Sequence, residues 1–164
     1  MLVGFALGAL FLVDFEVIAV VALLALLTLL FPLGKWWAAR RRAIADFRAA
    51  HSRSGKNMLI VYSDSAVWKE HIEAQWLPRW NDRAVVFNRS RPWKEEQIEA
   101  RLWRALAGLA EHTPVVILVP RRGRTRVVRF WKAFREHKFG RPRKLREAEE
   151  ELRLAAEKSD SGQV

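Results

Sequence analysis

The sequence contains no cysteine, and this absence removes several classes of function. A chain without thiols forms no disulfide, offers no thiolate nucleophile and builds no cysteine-ligated zinc or iron–sulfur site. Its four histidines lack the short spacings that are typical of metal ligands: His51, His71, His112 and His137. We therefore expect no metal site and no cofactor.

Motifs of nucleotide-binding and hydrolytic enzymes are also missing. The eight glycines form neither a Walker phosphate-binding loop nor a G-x-G-x-x-G fingerprint. A nucleophile at Ser63 or Ser65 with His71 as its base would need a turn between them, because residues six or eight positions apart share no helical face. The acidic groups at residues 95–96 and 149–151 are typical of solvated helix surface. The sequence therefore favours a binding function over an enzyme.

Basic residues are absent from the first 34 positions, and all 29 lysines and arginines lie at Lys35 or later. Residues 17–33, "VIAVVALLALLTLLFPL", hold no charge and approach the length that spans a hydrocarbon core of about 30 Å. The residues that follow suit a headgroup layer and a cytoplasmic face: Lys35, Trp36, Trp37, Arg40, Arg41 and Arg42. We therefore predict a single-pass transmembrane helix in the cell inner or plasma membrane, with the N-terminus outside and the C-terminal domain cytoplasmic.

Two other interpretations concern this apolar beginning. A cleaved signal peptide would normally start with a basic region, which the chain lacks. Residues 1–13, "MLVGFALGALFLV", are too few to cross a bilayer alone. They would lie in the outer interface, extend one long helix, or pack on a partner protein.

These features divide the chain into four parts. Residues 1–34 form the apolar segment and the anchor, and residues 35–56 form a basic juxtamembrane helix or linker ending in the polar "HSRSGKN". Residues 57–158 form a cytoplasmic α/β domain, and residues 159–164 form a disordered tail.

Two strands, two helices and a hairpin are predicted at the start of the domain. "NMLIVYSD" and "RAVVFNRS" are short apolar runs rich in β-formers, which is typical of buried strands. Apolar residues recur at helical spacing between them, and this helix should end before Pro78. A longer helix follows over residues 92–111. Two β-rich runs, residues 115–119 and 125–130, then flank a Pro/Gly turn and predict a hairpin.

A short helix closed by Gly140 and a terminal helix from about Pro142 complete the order β-α-β-α-β-β-α. This order resembles the thioredoxin-like fold over residues 57–157. Pro114, in "HTPVVILV", stands directly before the third strand, where thioredoxin-like proteins have a cis-proline beside their active site. The predicted fold class is therefore α/β, an N-terminal transmembrane helix followed by a small thioredoxin-like domain. A small three-layer doubly wound sheet shares the first five elements and is the competing fold.

The resemblance also locates the family's active site. Thioredoxin-like proteins have their reactive cysteines just after the first strand, where this chain has "YSDSAVW", from Tyr62 to Trp68. The resemblance thus implies a fold without redox or disulfide-isomerase activity. Ser65 or Asp64 would instead cap the helix that follows.

A candidate anion site lies where the first two strands end. Ligands of open α/β sheets bind at the carboxyl ends of parallel strands, where hydroxyls, arginines and a helix N-terminus could hold a phosphate or carboxylate. The residues of this hypothetical site are Ser63, Asp64, Ser65, Arg89 and Arg91. The alternative is that these residues are helix caps and solvated arginines.

The densest charge lies at residues 121–146, with 12 lysines and arginines against the single acid Glu136. Such a stretch needs an anionic neighbour, and the candidates are anionic lipid headgroups, an acidic face of a partner protein, and nucleic acid. Six tryptophans lie in the domain, of which Trp80 and Trp93 are expected to be exposed. The predicted partner or lipid surface comprises Lys35, Trp36, Trp37, Arg40, Arg41, Arg42, Trp80, Trp93, Arg121, Arg122 and Arg124.

The sequence thus predicts a membrane-anchored, non-redox thioredoxin-like protein. It would be an accessory or assembly subunit of a membrane protein complex and dock through a basic, Trp- and Arg-rich cytoplasmic surface. One alternative is an enzyme or sensor that binds a phosphorylated ligand at the carboxyl ends of the strands. A second alternative is a membrane-tethered nucleic-acid binder.

Overall fold

The chain divides into two compact units, Met1–Ala39 and Arg40–Val164. The computed structural model describes residues 3–107 and 112–160. The first helix, α1, is Val3–His51, so its last three turns belong to the second unit. Within the first unit, the rings of Trp36 and Trp37 meet edge to face with centroids 5.5 Å apart.

The prediction of a membrane anchor is wrong for the part of the chain that the structure describes. No helix in the described part of the chain is long and apolar enough to cross a membrane. Residues 17–33 lie in α1 as a helix. They would extend about 25 Å at ~1.5 Å per residue, which falls short of a hydrocarbon core of ~30 Å. This finding overturns the prediction of a single-pass transmembrane protein.

The second unit is a mixed α/β domain built on a sheet of four strands in the described residues. Strand β1 pairs in parallel with β2 and antiparallel with β3, and β3 pairs antiparallel with β4. The spatial order is β2-β1-β3-β4. Both predicted strands and the predicted hairpin are confirmed. The strands are β1 Met58–Tyr62, β2 Ala84–Asn88, β3 Val115–Leu118 and β4 Arg126–Arg129.

Helices cover the sheet and connect its strands. Between β1 and β2 a continuous helical segment comprises α2, a π-helical turn and α3. The bounds are α2 Lys69–His71, π turn Ile72–Trp76, α3 Leu77–Trp80, α4 Ile98–Ala107, α5 Trp131–Lys138 and α6 Arg143–Asp160. The predicted short helix and terminal helix are confirmed as α5 and α6, and Gly140 has φ +75° just after α5.

Three predicted helix limits differ from the structure. The first helix continues past Pro78, which stands at the start of α3 directly after the π turn. The helix predicted from residue 92 begins only at Ile98, and residues 108–111 lie outside the described residues. Ser159 and Asp160 belong to α6 rather than to a tail, whereas residues 161–164 lie outside the description.

The central strands β1 and β3 are buried on both faces, whereas β2 and β4 are partly exposed. Met58, Ile60 and Tyr62 of β1 pack toward α5 and α6, whereas Leu59 and Val61 pack toward α4 and the end of α1. This two-sided burial explains why β1 is a continuous apolar run without alternation. The peptide bond between Thr113 and Pro114 is cis, as the thioredoxin-like resemblance implies.

Candidate functional site

The carboxyl ends of β1 and β2 lie side by side, and the side chains there bind one another. Asp64 Oδ1 accepts a hydrogen bond from Asn88 Nδ2 at 2.9 Å and lies 3.1 Å from Lys69 Nζ. Ser90 Oγ accepts a hydrogen bond from the Asp64 backbone N–H at 3.0 Å. Asn88 Oδ1 in turn accepts from the Ser90 N–H at 2.9 Å. Asp64, Asn88 and Ser90 thus form a closed ring of hydrogen bonds to which Lys69 is attached, and only Asp64 among them was a predicted site residue.

Asp64 is ionised at this end of the sheet. The hydrogen bond from Asn88 and then the ammonium of Lys69 lower the pKa of the Asp64 carboxyl below its usual value of 3.8. The carboxylate therefore holds its charge at neutral pH and pairs with Lys69. A phosphate or carboxylate bound beside it would meet this negative charge.

The neighbouring serines also have partners. Ser65 Oγ accepts a hydrogen bond from the Val67 N–H at 3.3 Å, just ahead of α2. The Ser63 carbonyl accepts from Trp68 Nε1 at 3.0 Å, and Ser63 Oγ lies 3.4 Å from Thr113 Oγ1. Thr113 precedes the cis-proline and was not predicted as a site residue. These contacts give the serines turn-forming roles.

Arg89 and Arg91, the two arginines of the predicted anion site, make other contacts in this structure. The Arg89 guanidinium stacks on the Trp103 ring, with its carbon 4.9 Å from the centroid. Arg91 is exposed, and its backbone N–H donates to the Asn88 carbonyl at 3.2 Å. Ser63, Asp64 and Ser65 thus contact polar groups of neighbouring residues. Their described hydrogen bonds are not to the guanidinium groups of Arg89 and Arg91.

Catalytic and metal-binding groups are not assembled at this end. His71 Nε2 lies 2.7 Å from Glu149 Oε1 on α6, so its partner is a carboxylate rather than a serine hydroxyl. Trp76 Nε1 donates to the same oxygen at 2.8 Å. Within the described residues, no group of histidines and carboxylates could hold a metal ion.

The opposite end of the sheet is strongly basic. There the β3–β4 turn approaches the end of α1, where Arg48 Nη2 donates to the Gly123 carbonyl at 3.1 Å and Arg121 Nη2 donates to the Ser52 carbonyl at 3.0 Å. Two adjoining cavities of about 770 and 710 Å³ lie beside this turn and share Arg122 and Ser159. The lining cations, which we call the basic face, are Arg48, Lys56, Arg121, Arg122, Arg124, Arg126 and Lys158.

The described lining of the two cavities consists of basic, polar and apolar residues. Neither cavity is lined by an aspartate or a glutamate in that part of the chain. Sequence reasoning identified Arg121, Arg122 and Arg124 and assigned Arg48 to the basic juxtamembrane stretch, but it missed Lys56 and Lys158, which come from distant segments.

Most of the remaining predicted surface is exposed. Trp36 and Trp37 are 45% and 53% exposed, and Lys35, Arg41 and Arg42 are exposed, whereas Arg40 is half-buried. Two tryptophans differ from expectation: Trp80 is only 8% exposed and Trp93 is half-buried. Trp80 packs in the core beside α6, and the Trp93 ring meets Phe87 and Trp103 edge to face.

Comparison with known proteins identifies no relative, since no family model, no curated protein and no solved structure matches the chain. Its function must be argued from contacts, burial and charge.

One prediction tests the network at the strand ends. Because the pKa of Asp64 is lowered in the folded state, its charge stabilises the domain above the unfolded-state pKa near 3.8, and this contribution is lost as pH falls through the lowered folded-state pKa. Asp64→Asn should therefore unfold at a lower temperature than the parent at pH 7, and the difference should vanish at strongly acidic pH.

The measurement is the thermal midpoint of both proteins as a function of pH. Asp82→Asn, at an exposed position, is the matched control and should show no such pH-dependent difference. A difference for Asp64→Asn that stays constant down to pH 2 would contradict the assignment.

Proposed function

We propose that this chain is a non-redox protein with a thioredoxin-like domain that works as an accessory or assembly subunit of a protein complex. It docks on an acidic surface of its partner through the basic face. The observation that carries the proposal is the convergence of cations from the end of α1 and from the β3–β4 hairpin at one end of the sheet, around two cavities whose described lining includes no acidic residue. Such a field attracts and orients an acidic partner.

The thioredoxin-like assignment is supported by topology. A parallel β1–β2 pair is extended by an antiparallel β3–β4 hairpin, and helices lie on both faces of the sheet. The cis-proline stands before β3, and the Ser63 hydroxyl lies near Thr113. The place of the family's cysteines holds the network of Asp64, Lys69, Asn88 and Ser90. A binding role fits this network better than catalysis does.

The first unit supports a protein partner as well. Seven of its described apolar side chains are 55% to 65% exposed in the single chain: Val17, Ile18, Val20, Val21, Leu23, Leu24 and Phe31. Exposed apolar side chains in this number indicate an interaction site. Each unit therefore offers its own contact, one apolar and one basic, to a complex.

A purification tests the proposal. We would express the tagged full chain in its own cells, keep mild detergent present throughout, treat the extract with nuclease, wash with high salt and identify the retained proteins by mass spectrometry. We expect defined partners in stoichiometric amounts after the wash. Arg124→Glu/Arg126→Glu should reduce their recovery, because both arginines are exposed on the basic face.

Arg141→Glu/Arg143→Glu is the matched control, since it changes the net charge equally at exposed positions outside the basic face. Its partner recovery should match that of the parent chain. Recovery of the chain alone, or with only nucleic acid or anionic lipid, would overturn the proposal. Equal losses in the two variants would overturn the assignment of docking to the basic face.

A further inference from the structure

The larger cavity of the basic face lies between the end of α1 and the β3–β4 turn. Its cations are Arg48, Lys56, Arg121 and Arg122, and its volume is about 770 Å³. Small-molecule sites commonly occupy roughly 300–1,000 Å³. The cavity is therefore large enough for a small ligand, and its charge selects an anion.

Two of the guanidinium groups are held in place by backbone carbonyls. Arg48 donates from Nη2 to Gly123, and Arg121 donates from Nη2 to Ser52. A guanidinium has five N–H donors, so each of these bonds leaves most donors for a ligand. Arg48 Nε is buried and has no hydrogen-bond partner in the described structure. The hydrogen bond from Arg121 also occupies the carbonyl of Ser52, which lies just beyond the end of α1. Without this bond, the partial negative charge of that carbonyl would disfavour a bound anion.

Phosphate is the anion that such a set recognises best. Guanidinium groups bind phosphate oxygens in pairs, and a lysine adds a compact point charge. Arg122 also lines the adjoining cavity of about 710 Å³, together with Arg124 and Lys158. The basic lining thus continues beyond the reach of one phosphate group.

We propose that this cavity binds a small molecule that contains a diphosphate group. Arg48, Arg121 and Arg122 donate hydrogen bonds to its oxygens, and Lys56 neutralises the remaining charge. His51 also lines the cavity; its buried Nε2 makes no hydrogen bond in the described structure, and Glu99 Oε1 lies 3.4 Å from it. This inference goes beyond the docking function, since a small ligand can bind whether or not a protein partner is present.

Calorimetric titration of the full chain with inorganic pyrophosphate tests the proposal. We expect saturable binding at one site, with inorganic orthophosphate binding more weakly at the same ionic strength. Arg121→Gln/Arg122→Gln should weaken pyrophosphate binding by about a hundredfold, because two charge-assisted contacts are lost. Arg141→Gln/Arg143→Gln removes the same charge elsewhere and should bind pyrophosphate as the parent does.

A milder variant guards against misfolding. Lys56→Gln replaces a half-buried side chain of the cavity wall and should weaken binding while leaving the circular dichroism spectrum unchanged. Absence of saturable binding to the parent chain would overturn the proposal. Equal weakening in the cavity variants and in Arg141→Gln/Arg143→Gln would do the same, because it would indicate attraction by net charge alone. Pyrophosphate binding without a protein partner would separate this inference from the docking proposal.

Discussion

Replacing Phe47 with alanine is expected to lower the free energy of unfolding of the second unit by about 3–5 kcal/mol. Phe47 lies near the end of α1 and is 0% exposed. Its ring is part of the cluster formed by Val61 of β1 and by Leu102 and Trp103 of α4. Alanine would leave a cavity in this cluster, which the rigid sheet and helix could not fill by collapsing.

The measurement is urea-induced unfolding of the full chain, followed by the fluorescence of the domain tryptophans. Phe31→Ala is the matched control, because it makes the same substitution in the same helix at a position that is 64% exposed. Its unfolding midpoint should differ little from that of the parent. Equal stabilities of the two variants would show that α1 does not complete the core of the domain.

The Phe47 contact explains what the local sequence could and could not predict about the limits of the domain. Residues 35–56 resemble a linker because their charge is concentrated in a short basic stretch. Ala43 and Phe47, four positions apart, share one face of α1, and both are buried in the second unit. That spacing was visible in the sequence, but two apolar residues on a basic helix do not reveal which surface they cover.

The strands were predictable because their pattern is local. All five residues of β1 are buried, so the run "MLIVY" is apolar throughout, as expected for a strand with helices on both faces. The hairpin followed from two β-rich runs around a turn at Gly123, which has φ +89°. In each case neighbouring residues in the chain supply the determining interactions.

The candidate sites were less predictable because they depend on contacts between distant segments. Asp64 was correctly placed beside the β2 loop, since parallel strands bring their carboxyl ends together. Its ion pair with Lys69 was not predicted, because it depends on how the chain turns into α2. The basic face joins Arg48 to Gly123, 75 positions away, and no local pattern specifies this distance.

Trp80 and the π turn show a further limit of local reasoning. Tryptophan beside arginine suggested an exposed contact residue, and Arg79 and Arg83 do lie over the Trp80 ring, with guanidinium carbons 5.1 and 5.9 Å from its centroid. The ring is nevertheless buried, in the same core cluster as Leu152 and Ala155 of α6. The π turn at Ile72–Trp76 likewise contains no proline or glycine that would indicate it in the sequence.

Glu149→Ala is expected to lower the free energy of unfolding by about 1–3 kcal/mol, because it removes the acceptor of two hydrogen bonds at this turn. Glu149 Oε1 lies 2.8 Å from Trp76 Nε1 and 2.7 Å from His71 Nε2. Trp76 is only 4% exposed, so its N–H cannot easily exchange the lost acceptor for water. The loss would weaken the attachment of the α2–α3 segment to α6. Glu149→Gln retains an acceptor oxygen and should have a smaller effect.

Glu150→Ala is the matched control for this prediction. Glu150 is the next residue of α6, is exposed and pairs with Arg153 on its own helix, so its loss should hardly change stability. Urea unfolding of the three variants gives the comparison, and near-ultraviolet circular dichroism reports whether Trp76 loses its fixed environment. If Glu149→Ala were no less stable than Glu150→Ala, the link between the π turn and α6 would not stabilise the fold. The segment would then be held by the contacts of Trp76 with Phe130 and Phe134 and by the hydrogen bond from the Tyr62 hydroxyl to Glu73.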